Sequence, residues 1–555
     1  MWDTWKIRDT DRTLGYGEAP VSPQRIPRIT VQKRPRLAPG RFSGLSRLSH
    51  LSLPLRAAAA LALTAGGCAA AGDDPVAASA PASVESAEPP VDLSGPRCAA
   101  EITEVAAYQS VKVSLGSGDA VTSARSAELI AGKPALLRVF LTPSGAPTAP
   151  IDVKARVVVT TADQQASHDA TTTLTAASNE EALTSTLDVM LPAAELTPEA
   201  RVTVELLAPE CAGLPRTRFP RSAELELRPR AVGPLRVTLV PFRYDTDGSG
   251  RLPDTSPQQL EAYRAALLAM YPVPAVELTV HAPVPTTLAV SAQDGWGPLL
   301  DQVRQTRAAD RPTDDVYYFG LVAPAETQGK YCGTGCVTGV SFVGGVNSPQ
   351  TRASVGIGYP GPLASEVLLH ELGHAHGRAH APCGKPKDPD AAFPYPEALI
   401  GVWGYDSRGA QPLRPPTLTR DIMSYCGPRW VSDYTFRALT ARSVAVNRTE
   451  AAGAGQALTV ATPTTTFRTL HVGAAGARWG APITLGDDAA GDATPAQALD
   501  PANQSLGALD LRALPLADTD ERFYLLPATT ALPEATATLS IAGGPAIPLP
   551  PPPAP

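Results

Sequence analysis

With 555 residues the chain is longer than one hydrophobic core supports, so several domains are expected. A formal charge of −7, with no sustained Lys/Arg cluster after about the first fifty residues, excludes nucleic acid as a natural partner. The 58 prolines and the low aromatic content favour β-rich modules joined by many turns.

The chain opens with a basic, aperiodic stretch over residues 1–50. Arg41, Arg47 and Arg56 then precede an apolar run, Ala57 to Ala65, followed by Gly66, Gly67 and Cys68. This order resembles a lipoprotein signal peptide, in which Cys68 would become the lipidated N-terminus. The run is too short to span a bilayer, so membrane attachment is expected through the lipid alone. Residues 69–97, rich in Ala, Pro, Ser and acids, have no apolar period and read as a disordered linker. Over 98–230, short β-branched runs such as V-K-V-S-L and I-D-V-K-A-R-V-V-V-T-T alternate with turn residues, which predicts an antiparallel, immunoglobulin-like β-sandwich without a catalytic constellation.

Export gives the remaining cysteines a role. Cys98, Cys211, Cys332, Cys336, Cys383 and Cys426 are even in number, and in an oxidising compartment that suggests three disulfides. Position suggests Cys98–Cys211, Cys332–Cys336 and Cys383–Cys426 among the pairings that six cysteines allow. The rival is a second zinc site built on C-x-x-x-C.

From residue 233 to 448 the pattern turns to α/β. L-R-V-T-L-V-P-F reads as a buried strand, and S-P-Q-Q-L-E-A-Y-R-A-A-L-L-A-M-Y as a helix with serine as N-cap and proline at its first position. Between them, Asp245, Asp247 and Asp254 partly match the oxygen spacing of a calcium loop, making Ca²⁺ a candidate second ion; an Asp/Gly-rich turn is the alternative, since Ser256 stands where a bidentate glutamate belongs. A strand over 337–343 is the expected free edge, where a peptide could add by main-chain hydrogen bonds.

The densest chemistry lies in S-E-V-L-L-H-E-L-G-H-A-H-G-R-A-H-A, residues 365–381. His370 and His374, four apart, share one face of a helix at ~6 Å along its axis, a spacing two ligands of one ion can use. Gly377 lets the backbone double back so that His380 reaches the same point. Three imidazoles that leave a fourth position open are the donor set of a catalytic Zn²⁺, with Glu371 beside it. By chance the five fixed positions coincide with probability on the order of 10⁻⁵. His376 points to nearly the opposite side of the helix and reads as a packing or rim residue.

H-E-L-G-H-A-H-G-R-A-H resembles the extended zinc motif of the metzincin metallopeptidases, and D-I-M-S-Y-C at 421–426 resembles their Met-turn. The resemblance implies a catalytic domain of twisted mixed sheet plus helices, with Met423 as the floor beneath the imidazoles and Tyr425 as an extra ligand or oxyanion donor. Glu371 would be general base and then acid on the water that attacks a peptide bond. Ala381, after the third histidine, matches none of the acidic, proline or serine subfamily markers. W-G-Y-D at 403–406 is similar to a run in secreted bacterial mucinase-type metzincins. Trp403, Tyr405 and Trp430 are candidates for apolar substrate contacts, core packing being the alternative. A closing helix is expected from Ser432, a small β domain over 451–547 and a Pro-rich tail over 548–555.

The expected whole is a multidomain α+β protein, a metzincin-like domain flanked by β-sandwich-like modules. It would be a monomeric zinc endopeptidase, secreted or anchored as a bacterial lipoprotein at the outer membrane or cell surface, acting on extracellular proteins or glycoproteins. The alternatives are a non-catalytic, adhesive zinc-binding lipoprotein and a zinc hydrolase of a non-peptide amide.

Overall fold

The computed structural model describes residues 98–333, 335–409, 411–453, 463–486 and 491–550. The signal-like segment, Cys68 and the linker lie outside these residues, as does most of the Pro-rich tail.

β-Structure dominates, in several sheets. The first 130 or so described residues fold as two five-stranded antiparallel sheets. One is centred on Ala100–Tyr108 and Ala135–Pro143, the other on Ile151–Thr160 between Arg201–Leu206 and Gln165–Leu174. Along Ile151–Thr160 the period is two: Val153, Ala155, Val157 and Val159 are buried while the residues between them face outward. Cys98–Cys211 ties the start of the first sheet to the turn after Arg201–Leu206.

The second layer is a seven-stranded sheet. Val276–Val280, Leu235–Tyr244, Val316–Val322 and Ala353–Ile357 lie in that order and in parallel. Gly339–Phe342 joins antiparallel on the far side of Ala353–Ile357. Parallel strands need covered faces, and the helices Pro257–Met270, Trp296–Asp310 and Pro362–Ala375 supply the cover. The first of these starts as its sequence predicts: Ser256 accepts from the Gln259 amide and Pro257 stands at the first helical position.

Gly339–Phe342 falls within the segment expected to be a free edge, but the edge is occupied. Leu516–Ala517, from the C-terminal region, pairs with it antiparallel, Ser341 opposite Ala517 and Phe342 opposite Leu516. Those two residues sit in a link between strands Ser505–Leu514 and Arg522–Pro527 of a separate seven-stranded antiparallel sheet. One face of that sheet carries its own apolar cluster, including Leu470, Leu511 and Leu539. Phe467, Phe523 and Leu525 belong instead to the main core, which runs unbroken from the sandwich through the mixed sheet.

Two stretches whose sequence left alternatives open take definite form here. Trp403, Tyr405 and Trp430 take the packing role and fasten the sandwich, and Trp430 also lines a cavity together with Leu369, Arg408 and Arg414. The Lys112 amide donates to the Trp403 carbonyl and the Tyr405 amide to Ser110 O; Trp430 Nε1 also donates to Ser110 O at 2.8 Å; and Tyr405 packs with Tyr108 and Phe140. Over 245–254 the carboxylates turn to protein partners: Arg243 grips Asp245, Arg251 grips Asp247 at 2.6 Å, and Asp254 accepts the Ser256 amide. This is the Asp/Gly-rich turn.

Candidate metal centre and active site

The helix Pro362–Ala375 is buried along most of its length, and its apolar residues Leu368, Leu369 and Leu372 fix its rotation against the sheet. Tyr271, from the end of the first helix, donates to Leu369 O at 2.8 Å. With the helix so held, His370 and His374 present their Nε2 atoms 3.1 Å apart. The chain then reverses at Gly377, whose φ of 80° lies in the left-handed region that a side chain disfavours. The reversal brings the His380 ring to 4.5 Å from that of His374.

The tautomers follow from the partners. His370 Nδ1 faces Ile422 O at 2.7 Å, His374 Nδ1 faces Arg378 O at 2.6 Å and His380 Nδ1 faces Lys387 O at 3.1 Å. A carbonyl only accepts, so each Nδ1 carries the hydrogen, and each neutral ring turns the lone pair of Nε2 to the common point. Three converging lone pairs repel unless a cation or protons stand among them, which is the donor set of a metal centre. Burial pushes the His374 pKa down to about 4, so protonation of that ring is disfavoured.

Glu371 lies between the histidines on the helix, only 2% exposed. Its carboxylate rests on the edge strand: a Cβ on Gly339 would meet Oε1 at 2.6 Å, so the strand needs glycine there. Oε2 is buried without a hydrogen-bond partner. Burial, reinforced by Asp518, raises the Glu371 pKa well above the usual carboxylate range.

The floor is built by the turn at 421–426. Asp421, fully buried, accepts from the Met423 amide through Oδ1 and the Ser432 amide through Oδ2. Met423 packs so closely beneath the helix that a Cβ on residue 373 would lie 2.4 Å from its Sδ; Gly373 is what lets the two meet. The Ala381 amide donates to Met423 O at 2.9 Å, and Cys383–Cys426 fastens the segment after the third histidine to the turn. The third disulfide, Cys332–Cys336, leaves no thiolate pair for a second zinc. His376 is buried against Tyr317, stacked at 4.1 Å, and takes no part in the centre.

The fourth group was not foreseen from sequence. Asp518, from the C-terminal region, puts Oδ1 3.1 Å from His380 Nε2 and Oδ2 3.0 Å from His374 Nε2 and 3.4 Å from His370 Nε2. The donor atoms of the four residues lie within 4.8 Å of one another. Tyr425, 43% exposed at the rim, donates to Asp518 Oδ1 at 2.5 Å. Asp421 and Gly339 were also missed. Asp421 opens the D-I-M-S-Y-C stretch, but its hold on the Met423 and Ser432 amides is not written in that motif, and Gly339 matters only through the Glu371 side chain that the fold lays against it.

The Peptidase M66 family model matches residues 303–436, a span that holds His370, Glu371, His374, His380, Met423 and Tyr425 but not Asp518. The match supports a peptidase acting on proteins. No curated protein matches the chain significantly. Among solved structures, one described as a chaperone–substrate complex aligns with 47% of this chain at 11% identity and a TM-score of 0.22, too low to bear on the fold; the chain covers 39% of that structure's length.

Proposed function

We propose that the chain is a zinc-dependent endopeptidase of metzincin type, exported and acting on extracellular proteins or glycoproteins. The observation that carries the reading is the convergence of three imidazole Nε2 lone pairs, each tautomer fixed by a backbone carbonyl, beside a buried carboxylate with an unpartnered oxygen. His370, His374 and His380 would hold the ion. When bound, Zn²⁺ supplies Lewis acidity and makes a water acidic enough to attack a carbonyl near neutral pH.

The rest is the work of the chain. Glu371 Oε2 takes the proton of the attacking water and returns it to the leaving amine. Tyr425 offers an O–H donor at the rim for the oxygen on which charge develops. Gly339–Phe342 is the strand a peptide would extend. The three disulfides suit an oxidising compartment, in keeping with export and with a lipid anchor at Cys68.

One observation favours a second reading. Asp518 completes four donors, and four protein ligands are the mark of a structural zinc site. Glu371 decides between the two. In the full chain loaded with zinc, Glu371→Gln should reduce cleavage of casein or a mucin-type glycoprotein by at least about 100-fold with zinc content unchanged. Equal cleavage by the variant would refute the mechanism.

A further inference from the structure

We infer that Asp518 is the fourth ligand of the metal centre and that its segment, Pro515 to Asp518, occupies the path of a peptide substrate, making the C-terminal sheet a built-in competitor of the active site. The inference rests on the peptidase reading and adds the regulation of that site.

Three independent features place the segment there. The first is register. Leu516–Ala517 extends the sheet antiparallel at Gly339–Phe342, and Val343 N donates to Pro515 O at 3.2 Å, so the edge that would bind an extended peptide is already paired. The second is the backbone at Asp518, whose φ of 65° turns the chain out of the strand just as it reaches the histidines. Aspartate tolerates this left-handed conformation better than most side chains. The third is the carboxylate itself. Asp518 Oδ2 is buried without hydrogen-bond geometry to any partner although two Nε2 atoms stand close, as expected of an atom shaped to meet an ion.

The flanks hold the segment in place. Glu521 accepts the Gly295 amide at 2.9 Å and also the Gly297 amide, capping the helix Trp296–Asp310 at its positive end. Phe523 packs edge-on against Phe342 at 5.4 Å, and Lys387 reaches Asp520 at 3.2 Å. The competing contact is smaller than the docking: only two residues pair with the edge strand. Residues 515–520 can therefore lift away while the flanking strands stay packed, as segments with few paired residues open at the low end of local stability. In the closed arrangement Asp518 fills the fourth position and engages the Tyr425 hydroxyl, so both the attacking water and the oxyanion donor are withheld. A long substrate that pairs along Gly339–Phe342 would displace the segment; a short one would not.

The test uses the zinc-loaded full chain and two variants, Asp518→Asn and Asp518→Gly, both compatible with the left-handed backbone. Acetohydroxamate, a small bidentate zinc ligand, should bind both variants about tenfold tighter, because the competing carboxylate is gone. A chelator should strip their zinc about tenfold faster, because a ligand is gone. Casein cleavage should rise about tenfold and still vanish with Glu371→Gln. Unchanged hydroxamate affinity and zinc-loss rate in both variants would overturn the ligand assignment. Wild-type cleavage that depends on Glu371 but does not rise in either variant would overturn the competitor role. If no variant cleaves any protein, the peptidase reading fails, and the hydroxamate and zinc-loss measurements still decide the place of Asp518.

Discussion

The two β regions that flank the mixed sheet are attached in different ways. The N-terminal sandwich shares an unbroken apolar core with the sheet and is sewn to it by Trp403, Tyr405 and Trp430. The C-terminal sheet keeps a cluster of its own on one face, docks by the other, and sends one short segment into the metal centre. The first attachment builds the scaffold on which the histidine helix is held. The second acts at the chemistry itself, at a cost in stability that is small because few residues are involved.

Substitutions can break that contrast. The largest effect is expected on the sandwich side: Trp430→Ala removes a buried ring and its bond to Ser110 O and should cost about 3–5 kcal/mol in denaturant unfolding. On the other side, Asp518→Gly should alter stability by no more than about 1 kcal/mol, since it deletes no apolar packing. Comparable losses from the two would erase the distinction.

A pH dependence sharpens the contrast further. Lys133, in the sandwich, is buried and donates to Leu268 O and to Tyr271 O at the end of the first helix. Burial lowers its pKa to about 7. The unfolded chain keeps the ordinary lysine value and so binds more protons than the folded chain between about pH 7 and pH 10. The penalty is therefore full below about pH 7, and stability climbs across that window by a few kcal/mol. Lys133→Met should flatten the climb in melts taken from pH 6 to pH 10; an unaltered slope would show that this lysine is not the group responsible.

What the sequence made legible was what is local. His370, His374 and His380 lie within eleven positions, and helix geometry plus one glycine suffices to gather them. The alternation in Ile151–Thr160 and the cap at Ser256 are similarly local. Asp518 follows His380 by 138 residues and arrives only because a strand link from another sheet adds to the edge at Phe342, which no periodicity encodes. The aromatic run 403–405 was ambiguous for the same reason: whether it met substrate or scaffold depended on the distant Ser110 and Tyr108. The aspartates at 245 and 247 were open to a closer reading, since Arg243 and Arg251 stand beside them as ready partners.

The most direct test is hydrogen exchange on the zinc-loaded full chain with and without a saturating peptidyl hydroxamate. Displacement predicts that the amide of Ala517, which faces Ser341 across the edge, exchanges about tenfold faster or more once the inhibitor is bound, while those of Ala135–Pro143 in the sandwich do not change. Undiminished protection at Ala517 with the inhibitor on the metal would contradict a competing segment in the active site.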